Sequence, residues 1–258
     1  MRFCLIGGFP RSGTRQVLDL LNHHPQISLR GEIHRPLIVA IEKLVKKAER
    51  CHQGKWTEKN FQQARRELIL ENIRLLGKGP SKGSWPPFAS KQIIGFKLPY
   101  VELVKSSIDY LLMPEFDGVD FIYCVRNLED NFLSQKSKLS INKKRFISNT
   151  IESIDALRCL REDPFYRVKV VPLESFINSP NRSLWIRTEL FSFLGLSDVT
   201  DVSASSYISK TPNRNKTPQE KRLHQLTSEE ETALTTNSCL LARVRWIKET
   251  YNISLLKN

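Results

Sequence analysis

Apolar runs and polar breaks alternate along this chain in the order strand, turn, helix. Phe3-Cys4-Leu5-Ile6 is a short unbroken apolar run, the pattern of a strand buried on both faces. Gly7 to Thr14 interrupts it with glycine, proline and polar residues. Residues 16–22 then carry Val17, Leu18, Leu20 and Leu21 on what would be the inner face of a helix. Asn22-His23-His24-Pro25 stops that helix, with the two histidines read as capping it. The same alternation recurs. Residues 26–29, 91–96, 119–125 and 166–171 read as strands. Residues 35–50, 57–76, 100–112, 146–160 and 181–194 read as helices, and Gly195 as the C-cap of the last of these. Thr227-Ser228-Glu229-Glu230 is a capping-box signature opening a final helix. Strands separated by helices predict an α/β fold of three layers, a central, mostly parallel sheet with helices on both faces. With no internal repeat and no linker, residues 1–258 read as one domain.

Three stretches break the pattern. Residues 77–90, GKGPSKGSWPPFAS, read as a loop and a candidate lid, with Trp85 and Phe88 pinning it or touching a substrate. Residues 136–144 read as a basic, solvated loop. Residues 203–218, SASSYISKTPNRNKTP, read as a polar, basic, flexible loop.

Composition narrows the class. An apolar content of 40% over 258 residues supports a full core. The net charge of +13 favours anionic partners: a nucleotide, an anionic glycan or an acidic peptide. Nucleic acid is not expected, because the basic residues are spread along the chain rather than packed into one run. No run is long enough to span a membrane. The first strand starts at once, leaving no room for a signal peptide, so a cytoplasmic location is expected. Cys4, Cys51, Cys124, Cys159 and Cys239 are isolated and odd in number. They fit a reducing compartment and offer no metal-ligand spacing. His34 is placed to face a site near Glu32, but no partners for metal binding stand at ligand spacing.

The candidate chemistry begins in the first loop. A strand, a glycine-rich loop and a helix make an anion site, because helix-start N–H groups point at a phosphate. Gly8 and Gly13 have the spacing of a phosphate-binding P-loop, so the predicted fold is of P-loop type. Thr14 and Arg15 stand where a Walker A sequence has lysine and the magnesium-binding hydroxyl. That argues against magnesium-ATP chemistry and retains the phosphate cradle.

Phe9-Pro10-Arg11-Ser12-Gly13-Thr14 resembles the 5′-phosphosulfate loop of sulfotransferases, which use 3′-phosphoadenosine 5′-phosphosulfate (PAPS) without a metal. The segment L-L-N-x-H-P-x-I…G-E, Leu20 to Glu32, resembles the subgroup containing tyrosylprotein sulfotransferases and bacterial relatives. The resemblance makes Glu32 the general base; the alternative is a surface glutamate. It gives Lys97, in Lys97-Leu98-Pro99, contact with the transferring sulfuryl group. It makes Arg126 and Ser134, an arginine at a strand end and a serine eight positions later, the 3′-phosphate site. Arg11, Ser12, Gly13, Thr14 and Arg15 would hold the 5′-phosphate. Ser12 and Thr14 would add hydroxyls, and Arg11 would also neutralise charge developing at the transfer centre. In the family the region of residues 203–218 folds over the nucleotide, which makes Tyr207, Lys210, Arg214 and Lys216 candidates.

Three positions depart from the family pattern: Arg15 replaces a second threonine, and Leu173 and Ser175 replace Tyr and Asp of R-Y-E-D-L. The implied activity is sulfuryl transfer from PAPS to an acceptor hydroxyl on a carbohydrate, a peptide tyrosine or a small alcohol. The alternatives are a P-loop kinase or NTPase, and a non-catalytic binding descendant of the fold.

Overall fold

The computed structural model describes residues 1–52, 58–77, 91–211, 223 and 225–256. Its centre is a five-stranded sheet of β1 (Arg2–Gly8), β2 (Ile27–Arg30), β3 (Ile93–Lys97), β4 (Val119–Val125) and β5 (Tyr166–Pro172). The strand order is β2-β3-β1-β4-β5, and every neighbouring pair is parallel. β1 is the middle strand, with Ile6 level with Lys97 on one side and with Ile122 on the other.

The period of two along the strands builds two cores. Phe3 and Leu5 of β1, with Phe121 and Tyr123 of β4, point into one of them. Cys4 and Ile6, with Ile122 and Cys124, point into the other. All of these side chains are buried. Each large apolar one contributes roughly 1.5–3 kcal/mol by leaving water, which fixes β1 at the centre whatever its own propensity.

Helices cover both faces. On the Phe3 side lie α2 (Arg35–His52), α3 (Glu58–Leu76), α4 (Lys105–Leu112), α5 (Leu128–Leu139), α6 (Lys143–Glu162), α10 (Ser228–Thr236) and α11 (Ser238–Tyr251). On the Ile6 side lie α1 (Thr14–Leu21), α7 (Leu173–Ile177), α8 (Arg182–Ile186) and α9 (Asp201–Lys210). The capping box expected at Thr227 is formed, with the Thr227 and Glu230 side chains each accepting from the other's backbone N–H. Cys4 and Cys124 are buried thiols of the sheet, whereas Cys51, Cys159 and Cys239 are exposed.

Four segments differ from their sequence patterns. Residues 203–210, expected as a loop, belong to α9. Thr200 caps that helix by accepting from Ser203 N–H, and Ala204 and Tyr207 pack it onto the α1 side. Residues 136–144, expected as a solvated loop, are the end of α5 and the start of α6 around Ser140. Lys136 and Lys143 there are paired with Glu230 and Glu229. The helix expected from residue 100 begins late. Tyr100 has a positive φ of 61°, and a 3-10 turn over Val101–Val104 precedes α4. The helix expected over 181–194 is α8 followed by a π-helical turn, Arg187–Phe191, before Gly195 at φ 67°. The candidate lid with Trp85 and Phe88 lies outside the described residues.

Candidate active site

The loop between β1 and α1 is built by close approach. Gly8 has φ 96°, and a Cβ there would stand 2.1 Å from the Cys124 carbonyl oxygen. Phe9 N–H donates to that carbonyl at 3.1 Å, so the loop is tied to β4. Arg11 takes a positive φ of 66°, a conformation costing a non-glycine residue roughly 1–2 kcal/mol. The strain is held from α5. Asn131 Nδ2 donates to the Pro10 carbonyl at 2.8 Å, and Gln135 Nε2 reaches the same oxygen at 3.4 Å. Gly13, at φ 86°, caps α1, and Val17 N–H closes the first turn on its carbonyl at 3.0 Å. The first-turn N–H groups of a helix have no carbonyl within it, so Thr14 and Arg15 present theirs at the loop.

Ser12 does a different job from the one expected. Its buried hydroxyl turns inward to the carbonyls of Phe9 and Cys124, the latter at 2.9 Å. It braces the loop and is not turned outward as a donor. Thr14 is also buried, as the first residue of α1. Arg15 pairs with Asp19 one turn on, its Nε donating to Oδ2 at 3.0 Å. Leu173, where the family pattern has tyrosine, packs on the loop: a Cβ added at Gly13 would be 2.8 Å from its Cδ1.

On the β3 side of the loop, Lys97 and Glu32 form an ion pair. Lys97 is the last residue of β3, and Glu32 stands two residues past β2. Only 5% of the Lys97 side chain is exposed, against 36% for Glu32. Burial lowers the Lys97 pKa, and the adjacent carboxylate opposes that shift. The ends of the parallel strands β2 and β3 lie on one edge of the sheet, which brings these residues together.

On the β4 side, Arg11 Nε donates to Ser134 Oγ at 3.1 Å. Arg126, the residue after β4, acts on the same group. The Arg11 pKa is lowered first by burial and then by the Arg126 charge. Glu174 of α7 lies 3.8 Å from Arg126 Nε and accepts from Asn127 N–H at 3.1 Å. Arg11, Arg126 and Ser134 therefore share one corner, with Arg11 directly on the serine. Lys210 stands exposed in the last turn of α9. Tyr207 stacks on His23 at 5.9 Å. Arg214 and Lys216 lie outside the described residues. His24 is buried in the turn after α1, where its Nδ1 accepts from Gln26 N–H at 3.2 Å; it is not a simple helix cap. His34 is exposed just before α2.

Sequence reading missed the groups under and behind the loop. Asn131 and Gln135 are two. Glu102 is another: it is fully buried and accepts from Gly8 N–H at 3.2 Å. In VELV the glutamate looks like the polar face of a helix, and nothing local signals its burial. Among the described residues no cluster of three His, Cys, Asp or Glu is placed to hold a metal ion, and no helix is long and apolar enough to cross a membrane.

An all-parallel α/β sheet with this loop at its centre is a sulfotransferase-like fold. The chain is similar over 98% of its length to the sulfotransferase domain of the olefin synthase of Synechococcus PCC 7002, covering 95% of that domain with a TM-score of 0.54 and 14% identity. It is similar over its whole length to sulfotransferase STF9 of Mycobacterium avium, covering 78% of that chain with a TM-score of 0.53 and 12% identity. At such identities the likeness is one of fold. No protein-family model matches the chain, and no curated protein matches it in sequence.

Proposed function

We propose that the protein is a PAPS-dependent sulfotransferase acting on an acceptor hydroxyl. The observation that carries this reading is the pair of charged sets flanking one strained loop, Lys97–Glu32 on the β3 side and Arg11, Arg126 and Ser134 on the β4 side. β1 separates the two sets. Neighbouring strands lie about 4.8 Å apart, so the sets stand roughly 10 Å from each other across the sheet. A nucleotide with two separated phosphates suits that span. The start of α1 would take the 5′-phosphate, and the mutually repelling arginines would take the 3′-phosphate.

PAPS supplies the sulfuryl group; the chain supplies positioning and charge. Glu32, partly exposed, takes the proton of the acceptor hydroxyl as its oxygen bonds to sulfur. The bond from sulfur to the 5′-phosphate oxygen breaks, and Lys97 and the α1 amides stabilise the charge left on that oxygen. Lys97 pairs with Glu32 before the substrate arrives. Moving its hydrogen bond to the leaving oxygen makes the carboxylate more basic when the proton must be taken. The acceptor is a hydroxyl compound, and the surplus of positive charge favours one that is itself anionic, a glycan or an acidic peptide.

Thermal melts with adenosine 3′,5′-bisphosphate and with magnesium-ATP test the reading. A ligand bound only by the folded state at a hundred times its Kd adds about 2.7 kcal/mol of stability. A shift with the bisphosphate alone is expected. A shift with magnesium-ATP alone would move the protein to the NTPases, and no shift with either would make it a binding descendant of the fold.

A further inference from the structure

Beneath the β1–α1 loop a polar chain crosses the core. Glu102 Oε2 accepts from Gly8 N–H at 3.2 Å. Its Oε1 accepts from Ser153 Oγ of α6, and Ser153 Oγ is 2.6 Å from the Tyr123 hydroxyl of β4. All four groups are buried. The neighbouring backbone closes the clamp, because Tyr100 N–H donates to the Gly8 carbonyl at 3.0 Å. Both peptide groups of Gly8 are thus held by the segment that follows Lys97. Gly7 is glycine for the same reason: a Cβ there would lie 2.8 Å from Glu102 Oε2 and 2.7 Å from Phe121.

No cation touches this carboxyl group in the hydrogen bonds or ion pairs of the described residues. Burial pushes its pKa up to about 7, against the lowering effect of its hydrogen bonds and of Arg35 at the start of α2. The other titratable groups around it are Tyr100, on its own turn, and Tyr123 and Cys124 of β4. Burial raises all three, so they stay neutral where Glu102 titrates.

Resting on the anion-binding reading above, we infer that Glu102 is a positioning residue whose proton tunes the loop's affinity for anions. It braces Gly8 in either state; ionised, it also sets a negative charge beneath the bound anion. Linkage is reciprocal, so a phosphate in the loop must hold that proton more tightly.

The test is calorimetric titration of the intact protein and of Glu102→Gln with adenosine 3′,5′-bisphosphate and with inorganic sulfate, whose charge does not change near neutrality. Measurements at about pH 6 and about pH 8.5 bracket the Glu102 midpoint. Wild-type affinity for both anions should fall by about tenfold more than that of the variant over this interval. Titration of the bisphosphate's own phosphates is common to both proteins and cancels. Equal pH slopes in the two proteins would overturn the coupling and leave the functional reading standing. Binding of neither anion at either pH would overturn both. Should Glu102→Gln not fold, Ser153→Ala carries the test. Losing a hydroxyl that stabilises the carboxylate should move the wild-type midpoint upward, and an unmoved midpoint would overturn the inference.

Discussion

The two sides of the β1–α1 loop are both cationic, yet they are built on opposite principles. On the β3 side a buried ammonium has its own carboxylate, and the pair is close to neutral. On the β4 side two guanidinium groups sit together, burial and the Arg126 charge lowering the Arg11 pKa, and the Ser134 hydroxyl of α5 accepts from Arg11. Glu174 lies 3.8 Å from the Arg126 Nε. A balanced pair suits moving a proton, because either partner can release the other. Two like charges side by side suit holding an anion, because the anion removes a repulsion as it binds.

The largest test of this contrast is Glu32→Gln. Turnover, followed as release of adenosine 3′,5′-bisphosphate from PAPS in the presence of acceptor, should drop by about 10²–10⁴-fold, the usual worth of a general base. Bisphosphate affinity should hardly move, and unchanged turnover would remove Glu32 from the chemistry. Arg126→Ala should do the reverse. Affinity for the bisphosphate should weaken by roughly 10- to 150-fold, as expected for losing a charge-assisted hydrogen bond. The ligand-free protein should melt no lower, since a repulsion has been relieved. A clear loss of ligand-free stability would mean that the arginine is structural.

A smaller effect separates the partners of the ion pair. Glu32→Gln strands a buried ammonium, whereas Lys97→Met strands a carboxylate that keeps a third of its side-chain surface in water. The glutamine variant should therefore lose more stability, by on the order of 2 kcal/mol, less than for a fully buried pair. Denaturant melts of both variants check the order, and the reverse order would mean that Lys97 is less buried in solution. Smallest of all, Arg15→Ala should cost about 0.3–0.5 kcal/mol, the worth of a helical ion pair one turn apart. A tenfold loss of bisphosphate affinity in the same variant would transfer Arg15 from the α1 surface to the anion site.

What could be read from the chain and what could not divides by the distance over which the cause acts. β1, β4 and the loop between β1 and α1 were legible because apolar runs and glycines act within a few residues. So was the capping box at Thr227, whose two partners are three residues apart. Lys97 and Glu32 were singled out through the family resemblance, and their pairing follows because parallel strands deliver their ends to one edge. Residues 136–144 were not. Their lysines look solvated until Glu229 and Glu230, about ninety residues further on, fold back to meet them. α9 was missed because serines favour turns as readily as helix starts, and only its packing on Phe191 and His23 decides. Glu102 and the inward turn of Ser12 have no local signature at all, because each is defined by a backbone group that tertiary structure brings to it.

The place of β1 in the middle of the sheet carries a cost during synthesis. Arg2 must wait for Ile93, and Phe3 for Val119, 91 and 116 residues later. At about 5–20 residues per second, this central, buried strand has neither partner for roughly 5–20 s. Both of its edges are open to other chains through that interval. Slowing translation between α1 and β3, or depleting chaperones, should therefore reduce the yield of folded protein more than its final stability would suggest.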